Sequence, residues 1–215
     1  MSLTRGLLIC GVVAAVLFIL ADIVAAKLIY PGYDYTAQQV SELSAIGAPS
    51  RPFWMAMTYP YALLTAAFAV GVWRQAAGRF GLRLAAVLIV LFAINSFAWG
   101  LVAPMHMRGT EFTDTDTMHL AFAVSAIVLM VGFIASGAIA LGGGFRFYSA
   151  LTVLAMLAAG GVVSTQIAAI AAGEPTPWMG LVERISVYGP IVWMAVFAVT
   201  LLRRERALGA PASAD

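Results

Sequence analysis

Six stretches of the chain are almost uninterrupted apolar sequence, separated by shorter polar segments. They run from about residue 6 to 28, 53 to 73, 82 to 103, 118 to 141, 148 to 172 and 181 to 202. A helix that crosses a bilayer needs about 20 such residues, so each stretch predicts one transmembrane helix. Barrel strands are shorter and alternate apolar with polar positions, which these runs do not. The turns at 75–81 and 142–147 are tight, and short connections make consecutive helices antiparallel neighbours. Two connections are longer: an outer loop at 30–52 and a second at 104–117. The expected fold is an all-α integral membrane protein, with residues 1–215 forming a single bundle of six transmembrane helices.

Composition narrows the class. Of 215 residues, 62% are hydrophobic and 10% charged, with a mean hydropathy of +0.95; a soluble domain is about half apolar and a quarter charged. That excludes a soluble enzyme and a disordered chain. Twelve basic against ten acidic residues are too balanced for a surface that tracks nucleic-acid phosphates, so no nucleic acid is expected as a partner. Cys10 is the sole cysteine, which leaves no intramolecular disulfide and no cysteine-based metal site. Lys27 is the sole lysine among the twelve basic residues. That arginine bias, with abundant alanine, points to a GC-rich bacterial genome and thus to a bacterial inner membrane. The first apolar run is longer than a usual signal sequence and no small-x-small cleavage site follows it, so it is read as a span.

Charge sets the expected orientation, because basic residues concentrate on the cytoplasmic side. Arg5, Arg74, Arg79, Arg83, Arg146, Arg203, Arg204 and Arg206 fall on one side, and Lys27, Arg51, Arg108 and Arg184 on the other. Both termini are therefore expected in the cytoplasm, with Glu205 and Asp215. The remaining acids and both histidines lie on the opposite side or in the outer leaflet. Small residues within the spans, Gly132, Ser136, Gly137 and the Gly160–Gly161 pair, suit close helix packing.

The polar residues of that outer side carry the candidate chemistry. Asp22 lies inside the first span, where a charge is costly and faces the bundle interior or a wet cavity. Lys27 is about 140° away around the helix and is a poor partner for it. Tyr30, Tyr33 and Tyr35 suit the membrane interface. Val40, Leu43 and Ile46 are three apart, so a short interfacial helix turns them to one face, with Gly47 and Pro49 ending it. Glu42 on that helix is either a solvated acid or pairs with a cation such as Arg51. Thr113 or Asp114 can cap the fourth helix, with Asp116 completing a capping box. His119 enters the membrane one turn later, where an imidazole can act as base, acid or hydrogen-bond donor. Trp178 reads as an interface anchor. Glu183 and Arg184 are adjacent and point apart, so each needs its own partner, expected among His119, Arg51 and Glu42.

No metal and no cofactor is expected. His106 and His119 are thirteen residues apart, not the three or four that place two ligands on one helix face, and haem across them is disfavoured because His106 belongs to a loop. No phosphate-binding loop, nucleophile elbow or metalloprotease motif is present.

The six spans, the string Val40-Ser41-Glu42-Leu43-Ser44-Ala45-Ile46-Gly47-Ala48-Pro49-Ser50-Arg51, His119 and the string Gly180-Leu181-Val182-Glu183-Arg184 together resemble the bacterial and archaeal family catalogued as domain of unknown function number 998. The resemblance covers nearly the whole chain. It implies a six-helix membrane protein and carries no established activity. The chain has Pro104-Met105-His106 where that family suggests an acidic residue.

The reading that follows is a polar pocket at the outer leaflet that binds, and can modify, a membrane lipid or isoprenoid. Glu42, His119 and Glu183 are the expected proton-moving residues. Asp22, Arg51, Arg184 and Trp178 are the expected ligand-binding residues, the arginines holding an anionic head group. The alternative is a non-catalytic scaffold or accessory subunit in which the same polar residues form a structural salt-bridge network. A transporter is a weaker third class. It rests on Pro60 and Pro190 kinking their helices, without a pair of broken helices.

Overall fold

A computed structural model describes residues 2–209 of the chain. Asp215, and the side chain of Arg206, lie outside the described residues. The long helices are α1 (Leu3–Val24), α2 (Arg51–Gln75), α3 (Phe80–Val102), α4 (Asp114–Leu141), α5 (Gly143–Ser164) and α7 (Met179–Gly209), and the short α6 spans Ile167–Ala171. Six of them are long and apolar enough to cross a membrane, as the hydropathy pattern predicts. α1 continues into a π-helical turn, Ala25–Ile29, and the first long loop holds a 3₁₀ helix, Val40–Ser44.

Local sequence explains the ends. The Ser2 hydroxyl accepts from the Arg5 N–H at 3.2 Å and caps α1. Pro52 sits in the first turn of α2, where its missing N–H costs nothing. Thr113 and Asp116 form the expected capping box of α4. Pro60 and Pro190 lie inside α2 and α7, and neither helix is broken there.

Consecutive long helices pack side by side, and α7 packs against both α5 and α1, which closes a ring. Their outward faces stay apolar at helical spacing. Val13, Val16, Leu20 and Ile23 on α1, and Leu84, Val87, Leu91, Ile94 and Leu101 on α3, are exposed. Water penalises such a belt, whereas hydrocarbon does not.

The ring is filled unevenly. At the end with the tight turns, Phe68, Phe133, Phe145, Trp193 and Phe197 stack across the centre, with Trp193 and Phe197 centroids 4.8 Å apart. Trp193 Nε1 is satisfied by Ser149 Oγ at 2.8 Å. At the other end the long connections 30–50, 103–113 and 165–178 fold over a hollow interior.

Two expectations need correction. The fifth span was expected over 148–172, but α5 stops at Ser164 and the chain turns into α6. Gly160 and Gly161 were expected at a helix contact. A Cβ at either would meet nothing within 4 Å, so the pair faces open space. Gly132 and Gly137 do sit at close helix contacts, as expected, and Gly71 is a further one. A Cβ at Gly71 would lie 2.9 Å from the Leu8 backbone nitrogen, and one at Gly137 2.8 Å from the Trp193 ring.

Overpacking a close helix contact costs about 1–3 kcal/mol, and each kcal/mol moves Tm by roughly 2–4 °C in a chain of this size. Gly71→Ala is therefore expected to lower Tm by about 5 °C in a detergent thermal-shift assay, whereas Gly160→Ala leaves it unchanged. Equal effects would contradict the α1–α2 packing.

Candidate functional site

Two arginines organise the loop end. Arg184, buried on α7, meets Asp22, buried on α1 and 0% exposed. The pairing is bidentate: Nε to Oδ2 at 2.8 Å and Nη2 to Oδ1 at 2.9 Å. The Tyr188 hydroxyl donates to Asp22 Oδ2, and the Tyr35 hydroxyl donates to the same oxygen at 3.1 Å. Arg184 also donates to the carbonyls of Tyr35 and Gly180, each at 3.0 Å, and to the Tyr33 hydroxyl at 3.0 Å. Its guanidinium lies 3.5 Å from the Tyr35 ring centroid, a cation–π contact. Burial pushes the Tyr33 phenol well above its ordinary range, so it stays a neutral hydrogen-bonding group. Gly180 permits the arrangement, since a Cβ there would strike the Tyr35 carbonyl at 2.6 Å.

Arg108, from the second long loop, pairs with Glu42 through Nη2 to Oε1 at 2.8 Å and Nε to Oε2 at 3.2 Å. Glu42 accepts two further bonds, from the Gln39 N–H at 2.9 Å and Gln38 Nε2 at 3.0 Å. Arg108 Nη1 reaches Thr176 Oγ1 at 2.8 Å and the Glu174 carbonyl at 3.1 Å, so one side chain ties the three loops together. Nearby, Thr36 donates to Asp34 through its hydroxyl and its backbone N–H, which holds the exposed Asp34 carboxyl below its usual range.

These contacts correct several expected pairings. Glu42 meets Arg108, not Arg51. Arg184 meets Asp22, not His119, Arg51 or Glu42. Glu183 accepts the Val40 N–H at 2.5 Å instead of pairing with a cation. The interfacial helix ends at Ser44. Val40 and Leu43 are buried, but Ile46 has left the helix and is 41% exposed. Trp178 lies on the outer rim beside Pro177, 67% exposed, and does not line the central hollow.

Beneath the loops is a cavity of about 530 Å³, with wall residues from each of the six long helices. This is within the range of small-molecule sites. Phe92, Met130, Met156 and Ile191 form its deeper part, and Tyr61, whose buried hydroxyl has no partner, lies there too. Along the seam between α4 and α5 several of its lining residues are themselves exposed. Val124 lines it while 61% exposed, Phe112 lines its rim while 49% exposed, and Gly160 opens the facing wall.

Of the expected site residues, Arg51, His119 and Glu183 line this cavity, whereas Asp22, Glu42 and Arg184 do not. His106 and Asp116 line it as well. Asp116 accepts from the His106 backbone N–H at 2.7 Å, the Thr113 N–H at 2.9 Å and the Thr113 hydroxyl at 2.9 Å, and faces His106 Nδ1 at 2.9 Å. A carboxylate so placed only accepts, so His106 carries a proton on Nδ1. His119 has the opposite form. Trp99 Nε1 lies 2.9 Å from its Nδ1, and the Ala103 carbonyl is 3.0 Å from the same atom. The indole N–H is donor-only, and an orphaned buried N–H is rarer than an under-satisfied carbonyl. Nδ1 therefore accepts, and Nε2–H is the free donor. Asp116 and His119 are three apart on α4 and share a face, and both histidines line the cavity. Among the described residues no group of three or more histidine, cysteine or acidic side chains is placed to hold a metal ion.

Sequence reasoning gave Arg108 no partner, weighed His106 only as a metal or haem ligand, read Tyr33 and Tyr35 as interface residues and did not single out Tyr188. The string Pro104-Met105-His106 was a signal for His106. Arg108 had none, since its partner lies 66 residues away.

Breaking a buried pair by removing one partner costs about 3–5 kcal/mol. Asp22→Asn is expected to lower Tm by roughly 10 °C. Arg184→Lys is expected to be similarly damaging, because an ammonium cannot reproduce the planar bidentate geometry. A Tm within 2 °C of wild type for Asp22→Asn would contradict a structural role for the pair.

No curated protein and no solved structure matches the chain. The family described as Protein of unknown function (DUF998) matches residues 12–200. The two strings that carried the resemblance have physical roles here. Gly180 admits the loop carbonyls, Glu183 holds Val40 and Arg184 holds Asp22, while Glu42 anchors Arg108. Six membrane-length helices and a match over nearly the whole length agree: this multi-pass membrane protein belongs to the DUF998 family.

Proposed function

We propose that the protein binds one molecule of a membrane lipid or isoprenoid in the loop-end cavity. The polar head lies among Arg51, His119 and Glu183, and the chain lies toward Phe92, Met130, Met156 and Ile191. The supporting observation is a contrast within one cavity. Among the described residues Glu183 Oε1, His119 Nε2 and two of the three Arg51 nitrogens have no hydrogen-bond partner, whereas the deeper wall is apolar. Entry along the α4–α5 seam would let a chain come in from the bilayer while its head stays near the surface. The charge distribution supports the extracytoplasmic side for this end, and the compositional bias supports a bacterial inner membrane. His119 and Glu183 can also exchange protons with a bound head group, which extends the reading from binding to turnover.

A second reading applies to part of the site. Asp22, Arg184, Glu42 and Arg108 have their charged groups paired within the protein, and this favours a structural network for those four. They serve the cavity by holding its roof.

The test is mass spectrometry of lipids that copurify with wild type, Arg51→Gln and Glu183→Gln, with Tm measured on each. The expected outcome is a specific lipid or isoprenoid retained by wild type and depleted at least fivefold in both variants at near-normal Tm. The same bulk phospholipid in all three samples would sink the proposal and leave the scaffold reading.

A further inference from the structure

The 3₁₀ helix Val40–Ser44 separates two charged side chains of opposite sign. Glu183 accepts the N–H of Val40 at 2.5 Å, and Arg51 Nη1 donates to the carbonyl of Ser44. The acid thus sits at the N–H end and the cation at the carbonyl end, the sense that the helix dipole favours. Five residues at a rise of about 2.0 Å put the two ends on the order of 10 Å apart. That is too far for Glu183 and Arg51 to pair directly. Among the described residues the carboxylate–guanidinium pairs are Asp22–Arg184 and Glu42–Arg108, and Asp116 is hydrogen-bonded to His106, so neither Glu183 nor Arg51 has an opposite charge in contact. Both side chains line the cavity. Its other charged walls are engaged or peripheral: Asp116 is held by His106 and Thr113, Arg108 by Glu42, and Glu111 is exposed at the rim.

A lone charge facing an apolar cavity is costly until it is paired. A purely anionic head would satisfy Arg51 and leave Glu183 alone. A purely cationic head would do the reverse, and an uncharged head would supply a counter-charge to neither. One head group that carries both signs satisfies both. An ammonium and a phosphate on one small head can lie between Glu183 and Arg51, each making a charge-assisted hydrogen bond to one of them. The cavity, at about 530 Å³, is in the range of drug-sized ligands and suits one hydrocarbon chain. We infer that the ligand is a single-chain zwitterionic lipid of the phosphoethanolamine type, its ammonium on Glu183, its phosphate on Arg51 and its chain on the apolar floor. This inference rests on the cavity being a lipid site, as proposed above.

The test compares three ligands with the same oleoyl chain: lysophosphatidylethanolamine, lysophosphatidylglycerol and monooleoylglycerol. Each is titrated into detergent-solubilised full-length protein and read by native mass spectrometry. The zwitterion is expected to bind about tenfold more tightly than either of the others. Glu183→Gln, which keeps an acceptor for Val40, is expected to erase its advantage over the anionic lipid. Arg51→Gln is expected to weaken both phospholipids and leave the uncharged one unchanged. Equal or tighter binding of the anionic lipid to wild type, or a preference that survives Glu183→Gln at normal Tm, would overturn the zwitterion inference and leave the lipid site standing. No binding of any of the three would overturn both.

Discussion

A guanidinium buried in an apolar bundle cannot stand without a counter-charge, and the loop end of this protein is arranged around meeting that demand. Arg184 on α7 finds it in Asp22 on α1, which joins the first and last long helices and closes the ring. The donors left over reach the carbonyls of Tyr35 and Gly180 and the hydroxyl of Tyr33. The first long loop is thereby drawn down onto the helices. With that loop seated, Glu42 is in place for Arg108, and Arg108 gathers the other two loops. Both arginines use the planar fork of the guanidinium, which a point-charge ammonium could not replace.

The two ends of the ring meet different constraints. Stacked aromatic rings fill the tight-turn end, where α2, α4, α5 and α7 contribute large side chains to one centre. Toward the loops small or polar residues, Thr58, Ser96, Ala123, Gly160 and Ser186, line the cavity beside Trp54, Met55 and Trp99. Helices held apart by a packed base, and bridged above by loops, leave the space between them open. The cavity is thus a consequence of where bulk is placed along each helix, and its polar rim follows from the roof that the arginines secure.

Some of this was legible in the chain itself. The spans followed from hydropathy, because a membrane helix must be apolar over its whole length, and the capping box at Thr113 and Asp116 followed from local spacing. The convergence of Arg51, His119 and Glu183 was partly foreseen, since all three lie at one depth on the same side. The pairings were not. Glu42 was matched with Arg51 because they are close in sequence, but Arg51 turns back to the Ser44 carbonyl and Glu42 takes a residue from another loop. Asp116 was explained by capping alone, yet the same carboxylate orients His106. Gly160 and Gly161 were read as packing residues, because small residues on membrane helices usually are, and here they face open space.

The sequence by itself determined the class of protein, the number of helices, their order and the side on which polar chemistry collects. These are properties of single segments, set by how each residue partitions between water and hydrocarbon and by how short a connection is. Tertiary structure alone decided which charge meets which, which histidine nitrogen faces the cavity and where the ring is hollow. Those outcomes depend on side chains brought together from positions as far apart as Asp22 and Arg184. A buried charge takes whatever partner the closed ring delivers, and proximity along the chain does not predict it.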